Sequence, residues 1–262
     1  DRTSDRWPSK ISRRSCLKMS NPLEAQRKDN VLVLRLNRPQ VRNALNLELV
    51  QALAEILDQA ASDADVTTVL LGTTDSTAFS AGMDTNDSQL AGPTATSAAL
   101  TALTWTLASY PKPVIAAVPG YVIGGGAELA LTADIRIGDA TTKFRFPGTG
   151  YGLVQGSWHL VDAIGPSWAK QLVLTGRLVD ANESQRLGLI HELSDNAEDR
   201  GLAVAQELTH RSPIAMAESK RLIREASGRP LKSRFDDEAL VTEQLMQDHD
   251  VIARLRARNT PG

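Results

Sequence analysis

From Asn30 to Gly138, short runs of β-branched residues and leucine alternate with longer segments of helical period, and this alternation restricts the fold more than any other feature. "VLVLRLN", closed by Arg38-Pro39, reads as a strand, as do "VTTVLLGTT", "KPVIAAVPG" and "IRIG". Between them, "NALNLELVQALAEILDQAASD" sets Leu45, Leu49, Leu53, Ile56, Leu57 and Ala60 at helical spacing, with Asn46 as N-cap. A second helix is expected near residues 95–109, and "GGAELALTAD" reads as a third, entered through glycines. The order implies an α/β core of strand-strand-helix character rather than a sandwich or a bundle. No sequence repeat accompanies it. From about residue 196, "DRGLAVAQELTHRSPIAMAESKRLIREAS" and "SRFDDEALVTEQLMQDHDVIARLRARN" turn helical. A core over 19–195 followed by a helical subdomain over 196–262 is the expected organisation.

The first eighteen residues, "DRTSDRWPSKISRRSCLK", are basic and polar and lack the apolar stretch of a secretory signal. We read 1–18 as a disordered tail or upstream extension, with Met19 as a natural start. A transit peptide is the rival reading, and Asp1 and Asp5 count against it. With 42% hydrophobic and 23% charged residues, most of the chain should form a packed globular core. A net charge of -2 leaves no global basic field for a nucleic-acid backbone. The single cysteine, Cys16, excludes an internal disulfide framework and suits a reducing compartment; no Cys/His spacing suggests a structural metal. No apolar run approaches the roughly 20 residues that span a bilayer. The expected protein is cytoplasmic, with no membrane, nucleic-acid or metal partner.

"YVIGGGAELALTADIRIG", residues 121–138, sets three glycines ahead of an acid and a run of alanine and leucine. A glycine-rich turn that opens a helix leaves N–H groups without partners at the positive end of the helix dipole, where an anionic oxygen is stabilised. Glycines also permit close packing, so on local sequence both readings stand. A dinucleotide-binding turn is excluded, since "GYVIGGGAE" lacks the G-x-G-x-x-G register. A second small-residue turn, "STAFSAGMDTND" at 76–87, follows another strand run.

That turn, with "NRPQVRNALNLELV", "KPVIAAVPGYVIGGGAELALTADIRI" and "IGPSWAKQLVLTGRLVDANESQRLGLIHEL", resembles the crotonase, or enoyl-CoA hydratase/isomerase, superfamily in order and spacing from near residue 30 to residue 193. The resemblance implies a crotonase-like spiral of ββα units whose helical C-terminal part supports a trimer or dimer of trimers. It also implies an acyl-CoA thioester substrate, with coenzyme A carried by the substrate and no separate cofactor. The thioester oxygen would lie between the N–H groups of Met83 and Gly125, with Glu128 as the catalytic carboxylate. Arg42, Ala44, Ala81, Asp84, Gly124, Gly148 and Tyr151 become the implied substrate contacts, Arg42 as a basic group near the nucleotide. A preorganised donor at an oxygen that gains charge is worth about 3–4 kcal/mol in the transition state. Desolvation would raise the Glu128 pKa toward proton transfer near neutral pH, although the dipole alone also favours an acid in a first helical turn.

Two departures from the family pattern matter. Its hydratases place a second glutamate after the proline of a "KF..P" segment, and "TTKFRFPGTGYGL" has Gly148 there; isomerases usually keep the position lost here. The following loop, "GLVQGSWHLVDAIGP", is shortened and brings Gln155, Ser157 and His159. His159 is either an additional acid-base group or a histidine facing away from the chemistry, and Tyr151 reads as packing. Lys220, Arg221 and Arg224 form a helical basic stripe expected on the solvated surface. "VIARLRARNTPG" departs from the family's usual ending, so no CoA contact is assigned there. Three functions remain: a single-glutamate lyase or related enolate chemistry such as isomerisation, a non-catalytic acyl-CoA-binding protein, and a structural oligomer whose glycine turns only pack.

Overall fold

The computed structural model describes residues 21–85 and 93–258; the segment 1–18, Met19 and Cys16 lie outside them. An antiparallel hairpin of β1 (Leu23–Lys28) and β2 (Val31–Leu36) leads through helix α1 (Leu47–Ser62) into three strand-strand-helix units. The first is β3 (Thr68–Thr73), β4 (Ala78–Ser80) and α2 (Pro93–Ala108). The second is β5 (Val114–Ala117), β6 (Tyr121–Ile123) and α3 (Gly125–Leu131). The third is β7 (Ile135–Gly138), β8 (Lys143–Arg145) and α4 (Ser157–Thr175), and β9 (Leu178–Val179), α5 (Ala181–Leu187) and β10 (Glu192–Leu193) complete the core.

Each unit gives its first strand to one sheet, ordered β1-β2-β3-β5-β7-β10, and its second to another, ordered β4-β6-β8-β9. Past the hairpin, every pairing in the larger sheet is parallel. The chain therefore advances one strand in both sheets per unit, which makes it a spiral of ββα turns.

Both faces of the larger sheet are covered, which is why its strands read as unbroken apolar runs rather than as alternating ones. Leu32, Leu34, Val69, Leu71 and Ala116 enter the main core with Leu49, Leu53 and Leu57 of α1. Val31, Val33, Leu70, Ile115 and Ile137 face the other way, against Ala197 and Ala205 of α6 (Ala197–Thr209). Gly201 sits at that contact: a Cβ there would come within 2.9 Å of Leu70 Cδ1. The first helix of the C-terminal run is thus packed on the sheet. Asn46 caps α1 as its sequence predicts, its Oδ1 accepting from Leu49 N at 3.0 Å. Truncating Leu53, which is fully buried, would cost about 2–5 kcal/mol.

Helices α7 (Pro213–Arg224) and α8 (Leu231–Leu245) bury no residue completely, and α9 (His249–Arg258) closes the described chain. The basic stripe on α7 differs from expectation at Lys220. That side chain keeps only 15% of its surface exposed, and its Nζ donates to Asp134 and to Lys112 O, both at 2.6 Å. Lys220 fastens α7 to the turn entering β7 instead of facing solvent.

Candidate active site

β4 and β6 lie side by side and parallel, so the turns leaving their carboxyl ends are neighbours. The first contains Gly82 and Met83, and the second opens α3 at Gly125. Met83 forms an isolated parallel bridge with Leu45, in which Leu45 N donates to Gly82 O at 2.7 Å and Asp84 N to Leu45 O at 2.9 Å. Both of those bonds belong to its neighbours, so the Met83 N–H points away from Leu45. Gly125 is the first residue of α3, ahead of the first bond of that helix, Glu128 N to Gly124 O at 3.0 Å. Neither N–H has an acceptor among the described residues. A Cβ on Gly125 would lie 3.7 Å from Met83 N, so the two donors sit close together.

The consecutive glycines serve different needs. Gly124 has φ 53° and ψ -121°, a conformation closed to residues with a side chain. Gly125 brings the backbone against Met83, and its Cβ would strike Leu100 Cδ2 at 2.8 Å. Gly126 packs on β4, where a Cβ would come within 2.6 Å of Ser80 Cβ. Packing and an accessible backbone are therefore both present.

The Met83 turn is held by residues that sequence reasoning passed over. Arg38 donates to Ala44 O at 2.5 Å and to the Asp84 carboxylate at 2.9 Å. Asn43, buried and at φ 54°, donates to Thr73 Oγ1 and Ala78 O and accepts from Arg38 N. Ser80 Oγ donates to Asn43 O at 2.8 Å and accepts from Gly82 N at 3.1 Å. Nothing in the local sequence marked these, because apart from the bonds within the 38–44 loop and that from Gly82 N to Ser80 Oγ their partners lie 30 or more residues away.

Glu128 projects from the first turn of α3 into a cavity of about 520 Å³ lined by α2 and by residues 153–158. Its Oε1 accepts from Gly156 N at 2.6 Å, and the Gln155 side chain also hydrogen-bonds to it. Burial raises its pKa above the ordinary carboxylate value, and the Gly156 and Gln155 hydrogen bonds oppose that shift. Among the described lining residues Glu128 is the only charged one. The Gln155 amide lies 3.4–3.6 Å from where a Gly124 Cβ would sit, and Gln155 Cβ lies 2.9 Å from a Cβ built on Gly148. Gln155 thus fills the space between Gly124, Gly148 and Glu128.

The structure places Met83, Gly125 and Glu128 together. Ala81 N donates to Arg42 O at 2.9 Å, Ala44 is buried, and Asp84 is turned onto Arg38, so these four form the loop wall behind Met83 rather than the cavity lining. Tyr151 is 77% exposed and lines no part of the cavity, which corrects its reading as a packing residue. His159 is absent from the lining as well. Its ring lies against that of Trp158 with centroids 3.5 Å apart and planes tilted by 34°, its buried Nε2 has no hydrogen-bond partner among the described residues, and burial lowers its pKa to about 4. The residues missed by sequence are those of α2, where Ser97, Leu100, Thr101, Thr104 and Trp105 recur at i, i+3, i+4, i+7 and i+8 on the cavity face.

Residues 26–256 match the enoyl-CoA hydratase/isomerase family model, and the chain belongs to that family, a family of enzymes that act on acyl-CoA thioesters. Among its relatives, the 2,3-dehydroadipyl-CoA hydratase of Escherichia coli is 31% identical over 248 residues, covering 91% of this chain and 97% of the relative. The short-chain-enoyl-CoA hydratase of Clostridium acetobutylicum is 30% identical over 219 residues, covering 78% and 81%. The crystal structure of an enoyl-CoA hydratase from Bacillus anthracis superposes with a TM-score of 0.85 at 26% identity, covering 90% of this chain and 95% of that one, so the spiral is a crotonase fold. Among the described residues no helix is long and apolar enough to cross a membrane, and no group of three His, Cys, Asp or Glu side chains could hold a metal ion.

Proposed function

We propose that the chain adds water across the double bond of an enoyl-CoA, with Glu128 as its one proton-transfer group. The observation that carries this is a desolvated carboxylate in the cavity beside two backbone N–H groups that have no acceptor. Glu128 takes a proton from water as the water oxygen bonds to the β carbon. The electron pair of the double bond moves through the α carbon to the thioester oxygen, which the Met83 and Gly125 N–H groups stabilise. The protonated Glu128 then returns its proton to the α carbon, and the thioester carbonyl reforms. Gln155, hydrogen-bonded to Glu128, keeps the carboxylate turned toward the water. Coenzyme A enters with the substrate, and no further cofactor takes part. Gly148 supplies no second acid, so hydration runs more slowly than with two carboxylates, by a factor of about 10² to 10⁴.

A single carboxylate can also carry a proton between two carbons, so double-bond migration is the second reading; the products separate the two. An acyl-CoA carrier without chemistry would bind and not turn over. Exposed apolar side chains on α7 and α8, including Ile223 at 75% and Phe235 at 65% exposure, support assembly into a trimer or dimer of trimers, which light scattering reads directly. The test of function is a thermal shift with crotonyl-CoA, followed by loss of the enoyl-thioester absorbance on mixing. A ligand that binds only the native state raises Tm by mass action. Absence of both a shift and turnover would overturn the proposal.

A further inference from the structure

The cavity wall opposite Glu128 specifies the kind of acyl group that fits. At about 520 Å³ the cavity falls in the range that takes drug-sized ligands, well beyond a short unbranched chain. α2 supplies a row of hydroxyls, and two of them are already oriented: Thr101 Oγ1 donates to Ser97 O and Thr104 Oγ1 to Thr101 O, both at 2.9 Å. A hydroxyl carries one proton, so these two offer only lone pairs to a ligand. Trp105 from α2 and Trp158 from α4 border the same space, with ring centroids 6.5 Å apart and planes at 42°. That separation is too small to hold a ring sandwiched between them, but it leaves a continuous indole wall for edge-to-face or offset contact. Among the described residues no lysine or arginine lines the cavity, and Glu128 is the one ionisable group that does.

Acceptor hydroxyls, an aromatic wall and the absence of a cation act in the same direction. We propose that the site takes an uncharged acyl group bearing an aromatic ring with a hydrogen-bond donor, such as a phenol, and rejects acyl chains that end in a carboxylate. A terminal carboxylate would find no countercharge among the described lining residues and would face the lone pairs of Thr101 and Thr104 and the like charge of Glu128. A phenolic O–H would donate to Thr104 or Thr101 while its ring rests on Trp105 and Trp158. This inference rests on the acyl-CoA reading above and goes beyond it to the class of acyl group.

Binding of saturated CoA esters, which cannot be hydrated, tests it independently of turnover. Isothermal titration of the full chain with butanoyl-CoA, phenylpropanoyl-CoA, para-hydroxyphenylpropanoyl-CoA and glutaryl-CoA should rank the hydroxyphenyl ester tightest and glutaryl-CoA weakest. The phenol should improve Kd over the plain phenyl ester by about threefold to tenfold, the worth of one hydrogen bond. Thr104→Val should erase that difference while keeping the phenyl ester's own affinity. Thr101→Val serves as a second variant at an exposed site should the buried change unfold the protein, and Trp105→Ala should weaken both aromatic esters toward butanoyl-CoA. If all four esters bind alike, or glutaryl-CoA binds tightest, the acyl-group inference is wrong and the acyl-CoA reading stands. If none binds, the acyl-CoA reading falls and takes this inference with it.

Discussion

Gly148 is where a second carboxylate would be introduced, and the structure sets the consequence. Its φ is not in the left-handed range, so the backbone accepts a side chain there. The obstacle is space. A Cβ would meet Gln155 Cβ at 2.9 Å and Leu153 O at 3.0 Å, both closer than ordinary van der Waals contact. Leu153 N also donates to Gly148 O at 2.9 Å, so the two sides of the turn cannot part without loosening that bond. Overpacking of this kind costs roughly 1–3 kcal/mol. For a chain of this length that lowers Tm by about 2–12 °C. Gly148→Ala isolates the steric part, and adding Gln155→Gly should recover some of the loss, because it removes the Cβ contact but leaves Leu153 O in place. Residues in direct contact couple by about 0.5–3 kcal/mol, and this pair should fall in that range. Gly148→Glu alone should leave crotonyl-CoA hydration no faster, since its side chain displaces Gln155 from Glu128. Gly148→Glu with Gln155→Gly should raise kcat/KM by about tenfold or more, toward the 10²- to 10⁴-fold of an added proton-transfer group. A Gly148→Glu single variant with wild-type Tm and that same rate gain would show that Gln155 does not occupy the space, and the reasoning would fail.

Other consequences can be measured on the same protein. Asp84→Ala strands the Arg38 guanidinium, and since both side chains are largely buried it should cost about 3 kcal/mol, seen as a fall in urea midpoint at unchanged m-value. Burial lowers the His159 pKa from 6.5 to about 4 against the pull of Asp162, so its contribution to stability is complete above pH 6.5 and is lost as pH falls toward 4. Tm of His159→Gln should therefore decline less than wild type across that window; parallel declines would assign the acid limb to other groups. Glu128 has the opposite sign: its pKa is raised in the fold, so its contribution is present at low pH and lost as the carboxyl ionises. Glu128→Gln, which keeps an acceptor for Gly156 N, should accordingly melt higher than wild type at neutral pH and not at low pH.

Much of the core was legible because its strands and helices carry dense local signals. α1 declared itself through leucine spacing and the Asn46 cap, and the runs at 31–36 and 68–73 through continuous β-branched and leucine content. The short strands of the smaller sheet were not legible. β4, β6 and β8 have three residues each, too few to show a period, and they are fixed by pairing with strands more than twenty residues away. The site divided the same way. Met83, Gly125 and Glu128 lie within glycine turns that stand out in sequence, whereas Arg38 and Asn43 act through partners found only in the fold. On α2, the spacing of Ser97, Thr101 and Thr104 was visible, but small polar residues on an alanine-rich helix mark no face as apolar or solvated. Lys220 misled for a related reason, because its partner Asp134 is 86 residues distant.

The central claim is that Glu128 moves the proton while the backbone of Met83 and Gly125 holds the thioester oxygen. The most direct test is kcat/KM for crotonyl-CoA hydration by wild type and Glu128→Gln, measured across pH beside the crotonyl-CoA thermal shift of each. Wild-type kcat/KM should rise with pH through an apparent pKa above the usual carboxylate range, as burial requires. Glu128→Gln should lose about 10²- to 10⁴-fold in kcat/KM while keeping the thermal shift, since the amide preserves the shape of the site but cannot exchange the proton. A Glu128→Gln variant that hydrates crotonyl-CoA at the wild-type rate would contradict the account.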